Sequence, residues 1–440
     1  MKKIIYATTV ACMVFTAVFP QEKSRVSYSK SDDSRSGKST STIEITNKDL
    51  HLKLECTGNI TLNDSETAIA NISAGGMLTY SKNGSRLEAE SNNDGSISYR
   101  LHDKGKELSP QSEEGAKFIA AVIKELISFG VDAEHHVDRI YRRGGTDAVL
   151  AEIGKLSSDY VKQLYFQELF TIGSLTTAEM NEAAKGMAAM HGNYEKGQLL
   201  QKFAKAYLVN IQTVQAYFDA ARTIGGDYEK SQVLQAALSE HPGNSAMEQL
   251  LKVAATVGGD FEKGQVLQAA LTGPVTDTTV GQLLAVAATI SGDFEKAQVL
   301  KKVTRVDRLT EENCNRLLSD ADAIQGAFEK AGVLREVITS DSLSNNSFNR
   351  LLEVAGHINS VYEKSGVLKA LAALPGRSTE EWINLIKATA GVDAGYEKST
   401  VLVTIASKMP ADTYVREAYM TTAKTIGSNY DYEQAVKAVK

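Results

Sequence analysis

Hydrophobic and polar positions along this chain follow two different periods. From Thr42 to about His102 short runs alternate apolar and polar residues: TIEIT, LHLKLEC, NITLN, TAIANI, GMLTYSK, RLEAES and SISYRL. A period of two sends one face of each strand to a core and the other to water. Gly, Asn and Asp break the runs, and Lys82-Asn83-Gly84 and Asn93-Asp94-Gly95 are hairpin signals. A small antiparallel β-domain over 42–104, with one polar face, is the expectation. Such a sheet needs cover. The apolar stripe of the helix expected from Glu113 to Ser128 (EEGAKFIAAVIKELIS) can supply it.

Beyond that helix the period becomes helical, and a longer one is laid over it. One aromatic residue returns every 33 or 34 positions and opens nearly the same phrase each time. Tyr194 begins YEKGQLL, Tyr228 YEKSQVL, Phe261 FEKGQVL, Phe294 FEKAQVL, Phe328 FEKAGVL, Tyr362 YEKSGVL and Tyr396 YEKSTVL. Tyr160 (YVKQLYF) and Tyr430 (YDYEQAV) give looser copies at the two ends. A fixed period of this length means stacked supersecondary units, because one unit cannot bury its apolar face alone. The fold class expected is therefore α+β. A small antiparallel β-domain precedes a helical region over 112–440, an α-solenoid of helical-pair repeats from about residue 131.

Within the repeat around Tyr228, apolar or small residues stand 11, 10, 7 and 4 positions before the aromatic: Tyr217, Phe218, Ala221 and Ile224. The same slots hold Leu250, Leu251, Ala254 and Val257, and then Leu283, Leu284, Ala287 and Ile290. That is one stripe of an α-helix. Gly225 and Gly226 can end it, and Asp227 then stands where an N-cap belongs, as do Asp260, Asp293 and Asn193. The aromatic would open the second helix, with core as its expected location. Three positions on comes a small residue (Gly197, Ser231, Gly264, Ala297, Ala331, Ser365, Ser399), suited to close helix approach, and then aliphatics such as Val233 and Leu234. Capping boxes are expected at Thr176 with Glu179, Ser245 with Glu248 and Ser378 with Glu381.

The Glu of each phrase favours the positive end of the helix dipole, but the Lys beside it does not. The recurrence of Lys196, Lys230, Lys263, Lys296, Lys330, Lys364 and Lys398 needs another reason. An ion ladder linking each repeat to its neighbour is the structural reading. A row of cations facing an anionic ligand is the functional one, weakened by the adjacent Glu at every step.

The 440 residues carry a net charge of −6 and no basic block, so nothing marks a nucleic-acid binder. Lys2 and Lys3 precede an apolar run from Ile4 to Pro20 that reads as an export signal over 1–20. Cleaved signal, uncleaved anchor and lipoprotein, the last through Cys12, stay open as readings. No other stretch suits a membrane span. Residues 21–41 are rich in Ser, Lys and Asp and are expected to form a flexible polar linker. Cys56 and Cys314 are expected to be buried thiols.

No HExxH, GxSxG, Walker A or GxGxxG motif occurs. His135 and His136 are adjacent on an expected helix and diverge by about 100°, which disfavours a shared metal ion. No cofactor, metal or catalytic set is expected. Several segments together carry a resemblance: ISAGGMLTYSKNGSRLEAES, EEGAKFIAAVIKELI, RIYRRGGTDAVLAEI, SDYVKQLYF and the recurrent DYEKxxVL. From about 42 to 440 the chain resembles the extracytoplasmic C-terminal region of some bacterial antirepressor-type sensor metallopeptidases, the type that includes β-lactam sensors. It also resembles standalone exported proteins. The repeats match tetratricopeptide and HEAT units in length but lack the tetratricopeptide pattern of Trp, Gly and Pro. Without the peptidase zinc motif no catalytic residue carries over, so the resemblance implies a sensing or partner-binding half. The functional expectation is a non-enzymatic protein- or peptide-binding scaffold of the bacterial cell envelope, periplasmic or envelope-associated. It would meet no nucleic acid, and a membrane only through its N-terminal segment if that segment is uncleaved or lipidated. A sensor module for an envelope-derived small ligand and an unrecognised hydrolase are the alternatives.

Overall fold

A computed structural model describes residues 25–33, 38–46, 51–307, 309–340 and 345–439. The expected signal segment, with Cys12, lies outside them. The chain divides into two compact units, the first ending at Gly186 and the second beginning at Met187.

Among the described residues the first unit holds nine strands: β1 (Arg25–Asp33), β2 (Lys38–Thr46), β3 (His51–Thr57), β4 (Ile60–Leu62), β5 (Ile69–Ile72), β6 (Met77–Lys82), β7 (Ser85–Ser91), β8 (Ile97–Asp103) and β9 (Lys106–Leu108). Seven form one antiparallel sheet in the order β1-β2-β3-β6-β7-β8-β9, and β4 and β5 form a separate ribbon. The alternation seen in the sequence is the pleat. Leu52, Leu54 and Cys56, Leu78 and Tyr80, Leu87 and Ala89, and Leu101 share one buried cluster with Ile119, Val122, Ile123 and Leu126 of α1 (Glu113–Ser128). The β6–β7 turn takes Asn83 and Gly84 at φ 46° and 84°, the left-handed geometry that a two-residue hairpin demands. Ser112 caps α1 by accepting from the Gly115 N–H, and a Cβ on Gly115 would lie 2.1 Å from the Ser109 carbonyl oxygen. A glycine is therefore required where the helix meets the last strand.

The flexible linker expected over 21–41 is corrected by the structure: residues 25–33 and 38–41 are strand. β1 pairs antiparallel with β2, Val26 opposite Ile45 and Tyr28 opposite Ile43. The outer side of β2 would otherwise present a row of unpaired backbone groups, and the Val26/Tyr28 alternation supplies a segment to meet them.

Three further helices belong to this part of the chain: α2 (Ala133–Ile153), α3 (Asp159–Ile172) and α4 (Thr177–Ala188). α2 breaks where Gly145 takes φ 65°. Its N-terminus is bonded to the β4–β5 ribbon. The Leu62 N–H donates to Asp132 Oδ2 at 3.0 Å, and Arg139 bridges Asp132 (3.0 Å) and Glu66 Oε1 (2.8 Å). His136 Nδ1 lies 2.5 Å from the same Glu66 oxygen. These bonds make α2 part of the sheet's unit, so the division falls inside helical sequence and not between 104 and 112.

The second unit is all helix. Its members are α5 (Asn193–Leu208), α6 (Ile211–Arg222), α7 (Asp227–Ser239), α8 (Asn244–Ala254), α9 (Asp260–Ala270), α10 (Asp277–Ala287), α11 (Asp293–Val303) and α12 (Glu311–Asp322). α13 (Ala327–Thr339), α14 (Asn345–Gly356), α15 (Val361–Ala373), α16 (Thr379–Ala390), α17 (Gly395–Ala406), α18 (Thr413–Ala423) and α19 (Asn429–Lys437) complete it. Odd helices pack on odd and even on even, each on the next in sequence, which gives two layers. The stripe from Tyr217 to Ile224 and its equivalents face inward with Val233, Leu234 and theirs, all buried. Capping boxes form at Thr176 with Glu179 and at Ser378 with Glu381. Ser245 is not a cap, because α8 already starts at Asn244 behind the Pro242-Gly243 turn.

Burial raises the pKa of Glu66, but hydrogen bonds from His136 and Arg139, and their charge, outweigh it and hold the carboxyl below its ordinary 4.5. A lowered carboxylate stabilises fully above its unfolded value and stops doing so as pH falls through its folded one. Glu66→Gln should therefore cost about 1–2 kcal/mol at pH 7. The gap to wild type should close below about pH 4.5; urea titrations across pH would show a constant gap if the cluster did not titrate. In the second unit, Leu234→Ala should cost about 2–5 kcal/mol.

Candidate binding edge

The recurring phrase is best followed residue by residue along α7. The helix starts at Asp227 with Gly226 as N-cap, so Asp, aromatic, Glu and Lys occupy its first four positions. The expectation that Asp227, Asp260, Asp293 and Asn193 are N-caps is corrected: α7, α9, α11 and α5 show no side-chain capping bond of their own. Each side chain serves the next repeat instead. Asn193 Oδ1 accepts from the Gly225 N–H at 2.8 Å. Asp227 accepts from Gly258 and Gly259 (2.9 and 2.8 Å), and Asp260 from Ser291 and Gly292 (3.2 and 2.8 Å). Asp293 accepts from Gln325 and Gly326 (3.1 and 2.7 Å). These amides open the following odd helix, where a helix has unsatisfied donors. The Glu two positions on lies back over its own N-cap glycine: a Cβ on Gly226, Gly259, Gly292 or Gly326 would fall 2.1–2.4 Å from that carboxylate.

The lysines point inward. Lys196, Lys230, Lys263, Lys296, Lys330 and Lys398 are only 2–8 % exposed, and Lys364 is half-buried. Lys196 Nζ donates to Thr223 Oγ1 (2.8 Å) and to the Ala188 carbonyl (3.1 Å). Lys230 reaches Thr256 (3.2 Å), Lys263 Thr289 (3.0 Å) and Lys398 Thr425 (3.0 Å), while Lys364 reaches the Gly391 carbonyl (3.4 Å). Apart from Ala188, each acceptor stands five residues before the next aromatic, where an even helix ends. At two steps a carboxylate stands in for the hydroxyl or carbonyl. Ala323 replaces the threonine opposite Lys296, and there burial pushes Asp320 up to about 6 against the pull of Lys296 and Arg316. Lys330 lies 3.8 Å from Asp322. The expected ion ladder is thus mostly a ladder of ammonium to hydroxyl and carbonyl. At Lys230 burial lowers the pKa, with Asp227 opposing.

The expectation that the aromatics are core is overturned. Tyr228, Phe261, Phe294, Phe328, Tyr362, Tyr396 and Tyr430 are 59–71 % exposed, Tyr160 42 % and Tyr194 38 %. The helical wheel gives the reason. At about 100° per residue, the first-turn aromatic lies roughly 120° from the buried residue six positions on and 140° from the one five on. Lys, the small residue and the two aliphatics use up the inward face. That offset was readable in the sequence, as was the recurrence of Thr223, Thr256, Thr289 and Thr425 five positions before four of the aromatics.

The second unit therefore presents a row of aromatic side chains, one at the start of each odd helix. Adjacent odd helices are in direct contact, and packed helices lie about 8–10 Å apart axis to axis, which sets the interval expected between rings. A half-exposed Glu follows each ring from Tyr228 to Tyr396, and Asp431 follows Tyr430. From Tyr228 to Tyr430 the aromatic is the one large apolar side chain of the phrase that stays mostly in solvent. A shallow groove of about 470 Å³ lies elsewhere in the same unit, along the even helices α10 and α12, lined by Leu284, Ala288, Arg316 and Asp320 among others.

Other candidates resolve into structure. His135 bonds Asp132 and His136 bonds Glu66, so the adjacent imidazoles turn to different carboxylates. Trp382 is buried in α16. Cys56 and Cys314 are buried thiols, with Cys56 pushed up to about 12 by burial. Among the described residues no cluster of His, Cys, Asp and Glu suits a metal ion, and no helix is long and apolar enough to cross a membrane.

Asp260→Ala should cost about 1–2 kcal/mol in urea unfolding, because it strands two backbone donors, and Asp260→Asn should keep most of that stability. Lys230→Met should cost less than about 1 kcal/mol, since a desolvated ammonium is exchanged for an apolar chain of similar length. A larger loss at Lys230 than at Asp260 would mean that the lysine and not the aspartate sets the stacking. The chain matches no protein-family model and no curated protein sequence, so function has to be argued from the row itself.

Proposed function

We propose that this protein is a non-catalytic scaffold that binds a protein or peptide partner along the aromatic row of its helical repeats. The observation that carries the reading is the division of labour inside the phrase. Asp bonds the next repeat, Glu covers the N-cap glycine and Lys is buried against the next repeat, while the aromatic from Tyr228 to Tyr430 stays 59–71 % exposed. Large apolar side chains scattered singly on a surface need no explanation, but a row repeated at the pitch of the stack forms an extended patch of the kind that marks interaction sites. Tyr and Phe give large rigid contact area at small entropic cost and are enriched where partners bind. The setting we propose is the cell envelope, supported by the basic start and apolar run of residues 2–20.

The test is a triple substitution in the middle of the row, Phe261→Ser, Phe294→Ser and Phe328→Ser. Its melting temperature should match wild type, because each ring lies outside the core. Stoichiometric capture of a defined envelope protein by the wild type should fall at least about tenfold, as for a set of interface aromatics. Unchanged capture by the folded variant would remove the row from the binding function.

A further inference from the structure

We infer that the row receives a basic, proline-rich segment of its partner in the polyproline II conformation, with one cationic side chain in every three residues placed over one ring per repeat. This rests on the reading of the row as the binding surface and deepens it.

Spacing is the first argument. Rings about 8–10 Å apart must be met by groups at the same interval on one side of the ligand. A polyproline II helix has three residues per turn at about 3.1 Å each, so its residues realign on one side every 9.3 Å or so. A β-strand presents same-side residues about 6.6–6.8 Å apart and falls out of register within two repeats. An α-helical partner comes back into register only every seventh residue, and helical ligands are held in grooves, whereas these rings stand along one edge at helix starts.

Charge is the second argument. Every lysine of the phrase turns inward to Thr hydroxyls, carbonyls or a carboxylate, so the phrase offers no ammonium to a ligand. What remains beside each ring is a carboxylate: Glu229, Glu262, Glu295, Glu329, Glu363 and Glu397, then Asp431. Those of Glu229, Glu262, Glu295 and Glu329 also lie over their own N-cap glycines, and Glu363 holds Arg335 at 2.6 Å; a carboxylate keeps lone pairs for a further donor. An aromatic face with an adjacent carboxylate is complementary to a guanidinium or ammonium, which gains from the ring quadrupole and from the negative neighbour together. The proline rings between the cations present flat apolar faces to the same aromatics, as in other aromatic-lined polyproline sites.

Fluorescein-labelled (Pro-Pro-Arg)6 is the probe, titrated into the full chain at physiological salt with anisotropy as readout. Saturable binding is expected, with each added triplet tightening it about two- to fivefold. (Pro-Arg)6 carries as many arginines at the wrong interval, and (Gly-Ser-Arg)6 carries them at the right interval without the stiff helix. Both should bind about tenfold more weakly or worse. The variant Phe261→Ala, Phe294→Ala, Phe328→Ala should lose about ten- to hundredfold while melting as wild type does. Equal affinity for the three peptides, or affinity untouched by the ring substitutions, would overturn the inference. If no peptide binds but a captured envelope protein still depends on the rings, the polyproline ligand is wrong and the scaffold reading stands. Ring-dependent binding of wall glycan strands would likewise overturn this ligand in favour of a polysaccharide. If nothing that binds depends on the rings, both readings fall.

Discussion

From α7 to α13 the joint between repeats is set by one bond, from the first-turn Asp of one odd helix to the turn amides that open the next. Asp227, Asp260 and Asp293 each accept two N–H groups from the following turn at 2.7–3.2 Å. The donors are the ones that a helix start leaves unpaired, and the acceptor is charged, so the bond is stronger than a neutral one. It acts across the joint between repeats, where hydrophobic contact alone would permit sliding. By fixing where the next odd helix begins, it fixes the orientation of that helix's first turn, and hence where its aromatic stands. The Lys–Thr contact repeats the same step one turn deeper.

The lysines show how a charged residue can sit in such a joint. Four methylenes pack as apolar surface, and the ammonium needs only a few oxygens. Those oxygens come from an even-helix C-terminus, the negative end of the helix dipole, which is favourable for a cation. The dipole argument that made Lys look misplaced concerned its own helix; the neighbour's helix supplies the compensation. Where Ala323 removes the hydroxyl, Asp320 stands near Lys296, its proton held up to about 6 by burial.

Fold was legible in the sequence wherever one element's period set its burial. Two-residue alternation gave the strands from β3 to β8 and the helix that covers them, and the stripe from Tyr217 to Ile224 gave the even helices. β1 was hidden because Ser-rich composition suggests disorder, while pairing along the open edge of β2 is a matter of long-range backbone bonding that composition does not record. The tie of α2 to the β4–β5 ribbon was hidden for a similar reason: Glu66 and Arg139 are 73 positions apart. The aromatic row was misplaced by a shortcut, the assumption that a recurring hydrophobic residue must be buried. Counting about 100° per residue from Val233 and Leu234 puts Tyr228 off the inward face.

Recurrence within one chain has two physical sources, and burial separates them. A residue that joins repeat to repeat must recur because the joint recurs. Asp, the small residue, Lys and the threonine before the turn all belong to that class, and all are engaged in the joint. A residue at the same pitch that takes no part in the joint is not held there by stacking. The first-turn aromatics are in that position: truncating one leaves every inter-repeat bond named above in place. An exposed Phe or Tyr also leaves apolar area in water that a polar residue would not. A stack that needed only to stand would be no worse with Ser or Gln at those places, and the proposed ligand row rests on this separation of the rings from the joint.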